Sequence, residues 1–364
     1  MEVLILIFYY ISFWYLFNIL WLIVGFSKAK TFHHHSIIPK TKFSIIVPFR
    51  NEKETLPKLL HSIAKLNYPT ALFEVILVDD ASEEKFEIQN TKHELTLIDN
   101  FRKTNSPKKD AINTAITIAK YDWIISTDAD CEVPENWLAV FDAFIQKEKV
   151  KMIASGVMYN NVSGFLDTFQ QMDLLSLQGT TIGSFGNQQA FMCNGANFCY
   201  QKTFFLELNG FEGNDSIASG DDVFLLQKAI LKEVKSVHFL KSNQAIVTTK
   251  TEKNWKNLFF QRVRWASKTA NYQSIYSKQL GLSVLAMNMI LVFSIVLGEW
   301  RFFLVLFSIK FWIDFILLFQ TSSFFKTSLK HFLLSSLVYP FFSTSVALYS
   351  FFGKYTWKGR VFRK

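Results

Sequence analysis

The chain has 364 residues, of which 50% are hydrophobic, 16% aromatic and only 19% charged, and its formal net charge is +9. This composition argues against an ordinary soluble protein and favours one that is partly embedded in a membrane. The lysines beside apolar segments would face anionic lipid headgroups, and no basic stripe interleaved with aromatic residues suits bases. We therefore expect membrane lipids as a partner and no nucleic acid.

Uncharged stretches lie at both ends of the chain. Residues 3–25 are long enough to cross a bilayer and lack the short core and cleavage site of a signal peptide, so they predict a retained anchor at 1–27. Three more candidate spans fall within the C-terminal transmembrane segments predicted at 281–350. They are 281–298, 302–320 and 331–350. Within the second, Lys310 and Asp314 are four residues apart and can form an ion pair.

Basic residues suggest the orientation of an integral membrane protein. Glu2 precedes the first span and four lysines follow it, so the domain between the spans should be cytoplasmic, at an inner or plasma membrane. Four complete spans would place the C-terminus outside, whereas the basic tail at 351–364 should stay inside. Either one C-terminal segment is re-entrant or interfacial, which we prefer, or the charge rule fails.

The middle of the chain alternates between strand and helix patterns. The predicted strands are 43–49, 73–80, 95–100 and 123–130. The predicted helices run from Thr55 to about Leu66, over 108–120, and over 134–147 with Pro134 as a start. The alternation predicts an α/β domain at 28–250 with a mostly parallel sheet. Its three cysteines (Cys131, Cys193 and Cys199) would lie in the cytosol, so no disulfide framework is expected.

Acidic residues follow the predicted strands, at the edge where such sheets collect ligands. Asp128 and Asp130, at i and i+2 of an extended chain, would point the same way and offer hard oxygens to Mg²⁺ or Mn²⁺. A solvated turn explains this common tripeptide as well. The first strand is followed by Arg50-Asn51-Glu52 rather than a glycine-rich phosphate loop, which disfavours a hydride-transfer enzyme.

Two further motifs each allow two interpretations. Ser219-Gly220-Asp221-Asp222 precedes an amphipathic run, so its acids could suit a helix N-terminus or supply a general base. QRVRW (261–265) lies in an amphipathic interface helix predicted at 251–280. Gln261, Arg264 and Trp265 share one face of that helix, which could be a bland surface or a ligand site. Arg262 lies off this face and is predicted to contact lipid headgroups.

Five motifs in this order resemble membrane-bound family 2 glycosyltransferases with the Rossmann-like GT-A fold, a group that includes ceramide glucosyltransferases and polysaccharide synthases. They are VPFRNE (47–52), VDDAS (78–82), DAD (128–130), SGDD (219–222) and QRVRW (261–265). The resemblance covers about residues 43–270. Two departures are mild: Pro107-Lys108 stands in place of Gly-Lys, and Asp221-Asp222 in place of Glu-Asp.

The resemblance implies an inverting transferase with a nucleotide-sugar donor, above all a UDP-sugar, and a divalent metal, Mg²⁺ or Mn²⁺. Asp222 would be the catalytic base, Asp221 would support it, and Asp128 and Asp130 would bind the metal. The donor-binding residues would be Pro48, Asn51, Glu52, Asp79, Asp80, Lys108, Asp128 and Asp130.

The same resemblance implies the residues around the acceptor and the diphosphate. Arg264 would meet the leaving diphosphate and Trp265 would stack on the acceptor, with Gln261 beside them. Asn194 and Gly195 would lie beneath the acceptor, unless they form a plain turn. We prefer a lipid or lipid-linked acceptor, because three C-terminal segments are few for a polymer channel. A processive polysaccharide synthase is the alternative, and a non-catalytic membrane scaffold is weaker because both acid motifs are present.

Overall fold

The computed structural model describes residues 2–34, 37–87, 93–214, 219–352, 355–357 and 360–362. It divides into two compact units. The α/β unit comprises Lys30–Asn160 and Phe191–Lys250, and the helical unit comprises Met1–Ala29, Asn161–Ala190 and Thr251–Lys364. Part of the predicted basic tail (353–354, 358–359 and 363–364) lies outside the described residues.

The described elements, in chain order, include these helices and strands. The helices are α1 (Glu2–Lys28), α2 (Leu56–Ala64), α3 (Pro107–Ile118), α4 (Trp137–Lys147), α5 (Gly164–Gly186), α6 (Lys202–Glu207), α7 (Asp221–Glu233), α8 (Trp255–Ser267), α9 (Ile275–Val296), α10 (Trp300–Phe325) and α11 (Phe332–Phe352). The strands are β1 (Phe43–Phe49), β2 (Phe73–Asp79), β3 (Glu94–Asp99), β4 (Trp123–Ser126), β5 (Met152–Ser155), β6 (Val157–Tyr159), β7 (Phe198–Gln201), β8 (Val237–Leu240), β9 (Val247–Thr249), β10 (Tyr355–Trp357) and β11 (Arg360–Phe362).

The α/β unit is built on a seven-stranded sheet of order β3-β2-β1-β4-β7-β5-β8, in which β7 alone runs antiparallel to its neighbours. This confirms the predicted mostly parallel α/β fold. Every residue of β2, and all but one of β1, is buried, as continuous apolar runs predict. Because Phe49 pairs with Asp79 and Asp79 with Asp99, three strands end at one edge of the sheet. The segments that follow them therefore lie side by side.

Two predicted boundaries were wrong. β4 ends at Ser126, because the chain then turns and the N–H of Cys131 donates to the carbonyl of Asp128 at 3.1 Å. The expected extended presentation of the DAD carboxylates is therefore absent. α4 begins at Trp137 rather than Pro134, because the preceding Glu132 forms a bridge with Thr248 and holds the chain extended.

The helical unit contains the apolar elements. Among the described residues, four helices (α1, α9, α10 and α11) are long and apolar enough to cross a membrane, and they coincide with the four predicted spans. The expected ion pair between Lys310 and Asp314 is present, and the hydroxyl of Tyr15 also donates to Asp314 at 2.5 Å. Inside a helical bundle such mutual pairing offsets the cost of burying charge.

Helix α5 belongs to this unit although its residues lie within the predicted 28–250 domain. Its backbone approaches α1 so closely that a Cβ at Gly183 would lie 2.5 Å from the carbonyl oxygen of Leu22. Small residues permit this approach between helices. Hydropathy does not mark α5 as a bundle helix, because it carries Asp167 and Asp173.

Candidate active site

Two loops at the carboxyl edge of the sheet hold each other in place. Asn51, after β1, and Ala81, after β2, have φ values of 54° and 57°. The N–H of Asn51 donates to Ser82 Oγ, and the N–H of Glu83 donates to Asn51 Oδ1, both at 2.9 Å. Residues other than glycine seldom adopt this left-handed conformation, and loops that keep it are often functional.

The acids after β2 have different surroundings. The carboxylate of Asp79 accepts a hydrogen bond from the N–H of Ser82 at 2.9 Å, so it shapes the loop. The carboxylate of Asp80 accepts from Asn100 Nδ2 at 2.7 Å and lies 3.4 Å from Arg102 Nη1. Asp80 therefore faces the segment that follows β3. Two other residues predicted to bind the sugar donor lie beside these loops. Pro48 belongs to β1, and the carboxylate of Glu52 accepts a hydrogen bond from the hydroxyl of Thr55.

Sequence reasoning missed the segment after β3. Arg102 lies between the carboxylates of Asp80 and Asp110, and Asp110 is buried and accepts from the backbone N–H of Lys103 and Thr104. Asn100 also donates to the carbonyl of Pro107 at 3.0 Å and so ties this segment to the start of α3. The rule that strand ends share one edge would have found these residues, because they directly follow β3.

A second cluster lies where α3, the turn after β4 and α7 meet. Lys108 Nζ lies 2.7 Å from Asp128 Oδ1 and 3.3 Å from Asp221 Oδ2. Burial opposes the charge of Lys108, but the carboxylates of Asp128 and Asp221 outweigh it and raise its pKa. Lys108 therefore remains a cation over the physiological range and links two acidic motifs that are far apart in the sequence.

The neighbouring Asp222 is oriented by backbone groups. Its Oδ2 accepts from the N–H of Gly195 at 2.9 Å and its Oδ1 accepts from the N–H of Val223 at 2.7 Å. A Cβ at Gly195 would lie 3.0 Å from Asp221 Oδ2 and 3.2 Å from Lys108 Nζ, so this approach favours glycine. Asn194 accepts from the N–H of Ala196 and caps the short helical turn that presents Gly195.

Cys131 follows the DAD motif and is 2% exposed. Burial, and then the charges of Asp130 and Asp128, raise the pKa of its thiol well above the usual range. The residue is thus a neutral member of the apolar core beneath the acids. The other two cysteines are also buried, and no disulfide joins any of the three among the described residues.

The acids fit a divalent cation as part of a ligand set. Within the described ranges, no three His, Cys, Asp or Glu side chains are grouped to hold a metal ion. Asp128 and Asp130 supply hard carboxylate oxygens, and Mg²⁺ commonly takes one or two carboxylates and completes its shell with water and substrate phosphates. The chemistry of these two carboxylates therefore suits Mg²⁺ or Mn²⁺.

The QRVRW motif lies on α8 in the helical unit. Gln261, Arg264 and Trp265 are half-buried, and Gln261 Nε2 donates to Glu252 Oε1 at 2.8 Å. Arg262 is 5% exposed and forms an ion pair with Asp173 of α5. The prediction that Arg262 contacts lipid headgroups was therefore wrong, because a buried carboxylate on another helix binds its guanidinium.

Comparisons with known proteins agree with this architecture. Residues 44–208 match the family model for glycosyl transferase family 2. A β-monoglucosyldiacylglycerol synthase from Trichormus variabilis is 27% identical over 154 residues, which cover 39% of this chain and 33% of the synthase. A poly-β-1,6-N-acetyl-D-glucosamine synthase from Staphylococcus epidermidis is 23% identical over 306 residues, which cover 78% of this chain and 72% of the synthase. The chain spans 37% or less of the length of the first curated relatives it matches.

Among solved structures, a mannosyltransferase from Pyrobaculum calidifontis in complex with GDP-Man and Mn²⁺ is similar in fold. Its TM-score is 0.56 at 15% identity, and the match covers 88% of this chain and 98% of that chain. Residues 44–208 therefore match a glycosyl transferase family 2 domain, and the sheet of the α/β unit is mostly parallel and GT-A-like.

Proposed function

We propose that the protein is an inverting, metal-dependent glycosyltransferase that moves a sugar from a UDP-sugar to a lipid or lipid-linked acceptor. The observation that carries the proposal is the cluster of Lys108, Asp128, Asp221 and Asp222 within the α/β unit. The cluster supports the proposal because carboxylates expected to bind the donor and to act as the base lie beside one cation, which can stabilise an anionic leaving group.

The donor would bind along the carboxyl edge of the sheet. Asp80 and Arg102 offer a carboxylate and a guanidinium to the base and ribose, and Asn51 and Asp79 shape the loop beside them. Asp128 and Asp130 would hold a divalent cation that neutralises the diphosphate. Lys108 adds positive charge at the same place, which favours an anionic leaving group.

Asp222 would take the proton from the acceptor hydroxyl as that oxygen attacks the anomeric carbon. The bond from this carbon to the diphosphate breaks, UDP leaves, and attack from the opposite face inverts the configuration. Asp221 is ion-paired with Lys108, whereas backbone N–H groups orient Asp222. Each carboxylate oxygen has two lone-pair sites, so Asp222 can accept these bonds and still receive a proton.

The acceptor would be membrane-borne. Within the described ranges, four helices have the length and composition of membrane spans, and a relative is a glucosyldiacylglycerol synthase. The sequence motif supports a role for Gln261, Arg264 and Trp265 in binding the acceptor and the diphosphate. Asn194 and Gly195 would lie beneath the acceptor. The basic residues after α1 favour a cytoplasmic α/β unit.

A processive polysaccharide synthase is the second candidate, because the similarity to the poly-N-acetylglucosamine synthase extends over 78% of this chain. The length of the product separates the two. Purified protein in lipid nanodiscs, given labelled UDP-sugars and a membrane lipid extract, should form a lipid one sugar heavier by mass spectrometry. A ladder of lengths would favour the polymer synthase. Absence of UDP release with all UDP-sugars and acceptors would refute both.

A further inference from the structure

One face of α5 carries a row of three polar side chains, each three residues from the next: Asp167, Gln170 and Asp173. Every member binds the segment that contains α8. Thr251 Oγ1 donates to Asp167 Oδ1 at 2.8 Å, the N–H of Glu252 donates to Gln170 Oε1 at 2.8 Å, and Arg262 forms an ion pair with Asp173. Residues three apart are neighbours on a helix, so these three side chains bind the segment at three adjacent points.

The innermost contact is buried on both sides. Arg262 is 5% exposed, Asp173 is 7% exposed and Gln170 is fully buried. Breaking one partner of such a pair leaves an uncompensated charge in the interior, which is strongly unfavourable. The pair therefore holds one arrangement of α8 against α5.

Arg262 also contacts both of its neighbours in the motif. Its Nη1 donates to Gln261 Oε1, and its guanidinium lies 4.2 Å from the centroid of the Trp265 ring. A cation over an indole face attracts and orients the ring. The anchored arginine thus contacts the glutamine and the tryptophan, which are two of the three side chains expected to meet substrate.

We propose that Asp173 and Arg262 are positioning residues that fix Gln261 and Trp265 for the transfer reaction. This inference rests on the proposed function. It separates the two arginines of the motif: Arg264, on the half-buried face, would meet the diphosphate, whereas Arg262 acts through its neighbours without touching substrate.

The test compares Asp173→Asn with Asp314→Asn, a control that also removes a carboxylate from an ion pair of the helical unit, one whose lysine partner is buried and whose own side chain is 20% exposed. Asp173→Asn should lower kcat at least tenfold, with less than a twofold change in KM for the UDP-sugar. Asp314→Asn should lower the melting temperature comparably and keep kcat within twofold. Asp173→Glu keeps the carboxylate and should recover most of the lost rate. If kcat falls equally in Asp173→Asn and Asp314→Asn, the pair is merely structural and the inference is wrong.

Hydrogen exchange separates this inference from the proposed function, because it needs no substrate. Peptides from residues 255–267 should exchange faster in Asp173→Asn than in the wild type or in Asp314→Asn. If they do so in a protein that transfers no sugar, the positioning contact stands and the proposed function fails. If the wild type transfers sugar and Asp173→Asn changes neither exchange nor kcat, the inference is overturned.

Discussion

The two units of the molecule both pair basic side chains with carboxylates, but they expose them differently. In the α/β unit, the side chains of Lys108 and Asp128 are 18% and 38% exposed. In the helical unit, those of Arg262 and Asp173 are 6% and 8% exposed. The partly exposed pair of Lys108 and Asp128, here called the open pair, can exchange partners with a ligand. Separating the buried pair of Arg262 and Asp173 would instead leave an unpaired charge in the interior. The difference in exposure therefore suggests that the pair in the α/β unit binds a ligand and that the pair in the helical unit positions its neighbours.

The largest effect should come from Asp222→Asn. An amide keeps the shape of the side chain and cannot accept the proton, and a general base typically contributes about 10²–10⁴-fold. We expect the transfer rate to fall by that factor while the Kd for UDP changes little, measured by product formation and by calorimetry. Near wild-type turnover would remove Asp222 from the role of base.

Removing the cation of the open pair should weaken donor binding. Lys108→Met leaves Asp128 and Asp221 facing each other without a counter-ion, so the Kd for UDP should rise about 10- to 100-fold. Lys108→Arg retains the charge and is the control. Equal affinity in the methionine variant would show that Lys108 takes no part in donor binding.

The raised pKa of Lys108 also predicts how donor affinity in the wild type responds to pH. The folded pKa of Lys108 is raised, so the stability its charge contributes is fully present below the unfolded value of about 10.4 and is lost as pH rises through the folded pKa. Donor affinity should therefore not weaken between pH 7 and 10 through this group. A decline in that window that is absent from Lys108→Met would contradict the prediction.

A smaller effect is expected from Gly195→Ala. The new Cβ would lie 3.0 Å from Asp221 Oδ2 and 3.2 Å from Lys108 Nζ, so these two side chains must shift by a few tenths of an ångström. Since a 1 Å misplacement can cost about 10²-fold, we expect a loss of about tenfold in kcat at an almost unchanged melting temperature. Unchanged kcat would show that the cluster tolerates displacement.

The smallest effect concerns Cys131, which lies beside the acids but in the apolar core. Burial and the nearby Asp130 and Asp128 keep its thiol neutral, and thiols react as thiolates. Native protein at pH 8 should resist maleimide labelling at this residue, whereas denatured protein should be labelled within minutes. Mass spectrometry measures the extent of labelling. Rapid native labelling would show an opening beneath the DAD turn.

Much of the fold was predictable from sequence, because its signals are local. Continuous apolar runs predicted β1 and β2 within one residue, and uncharged stretches predicted the four apolar helices. The strand predicted through Asp130 was too long, and the alternative of a turn at Asp128–Asp130 describes the backbone better, because the turn depends on a hydrogen bond that the strand pattern does not encode. α5 was missed as a bundle helix because close approach at Gly183, rather than hydropathy, places it there.

The site was predictable as a set of residue types but not as a set of partners. The motifs singled out Lys108, Asp128, Asp221 and Asp222 as candidates, and the structure adds that the lysine joins Asp128 to Asp221. Arg102 was overlooked because no family motif contains it. Arg262 was misassigned because its partner Asp173 lies 89 positions earlier, beyond the reach of any local pattern.

That separation has a consequence during synthesis. Asp173 leaves the ribosome 89 residues ahead of Arg262. At about 5–20 residues per second, its carboxylate lacks this partner for roughly 4–18 s. The residues of the α/β unit are complete by Lys250, before α8 emerges. The contact between α5 and α8 can therefore form only after the residues of the α/β unit have been synthesised, whereas α5 can pack on α1 as soon as it emerges.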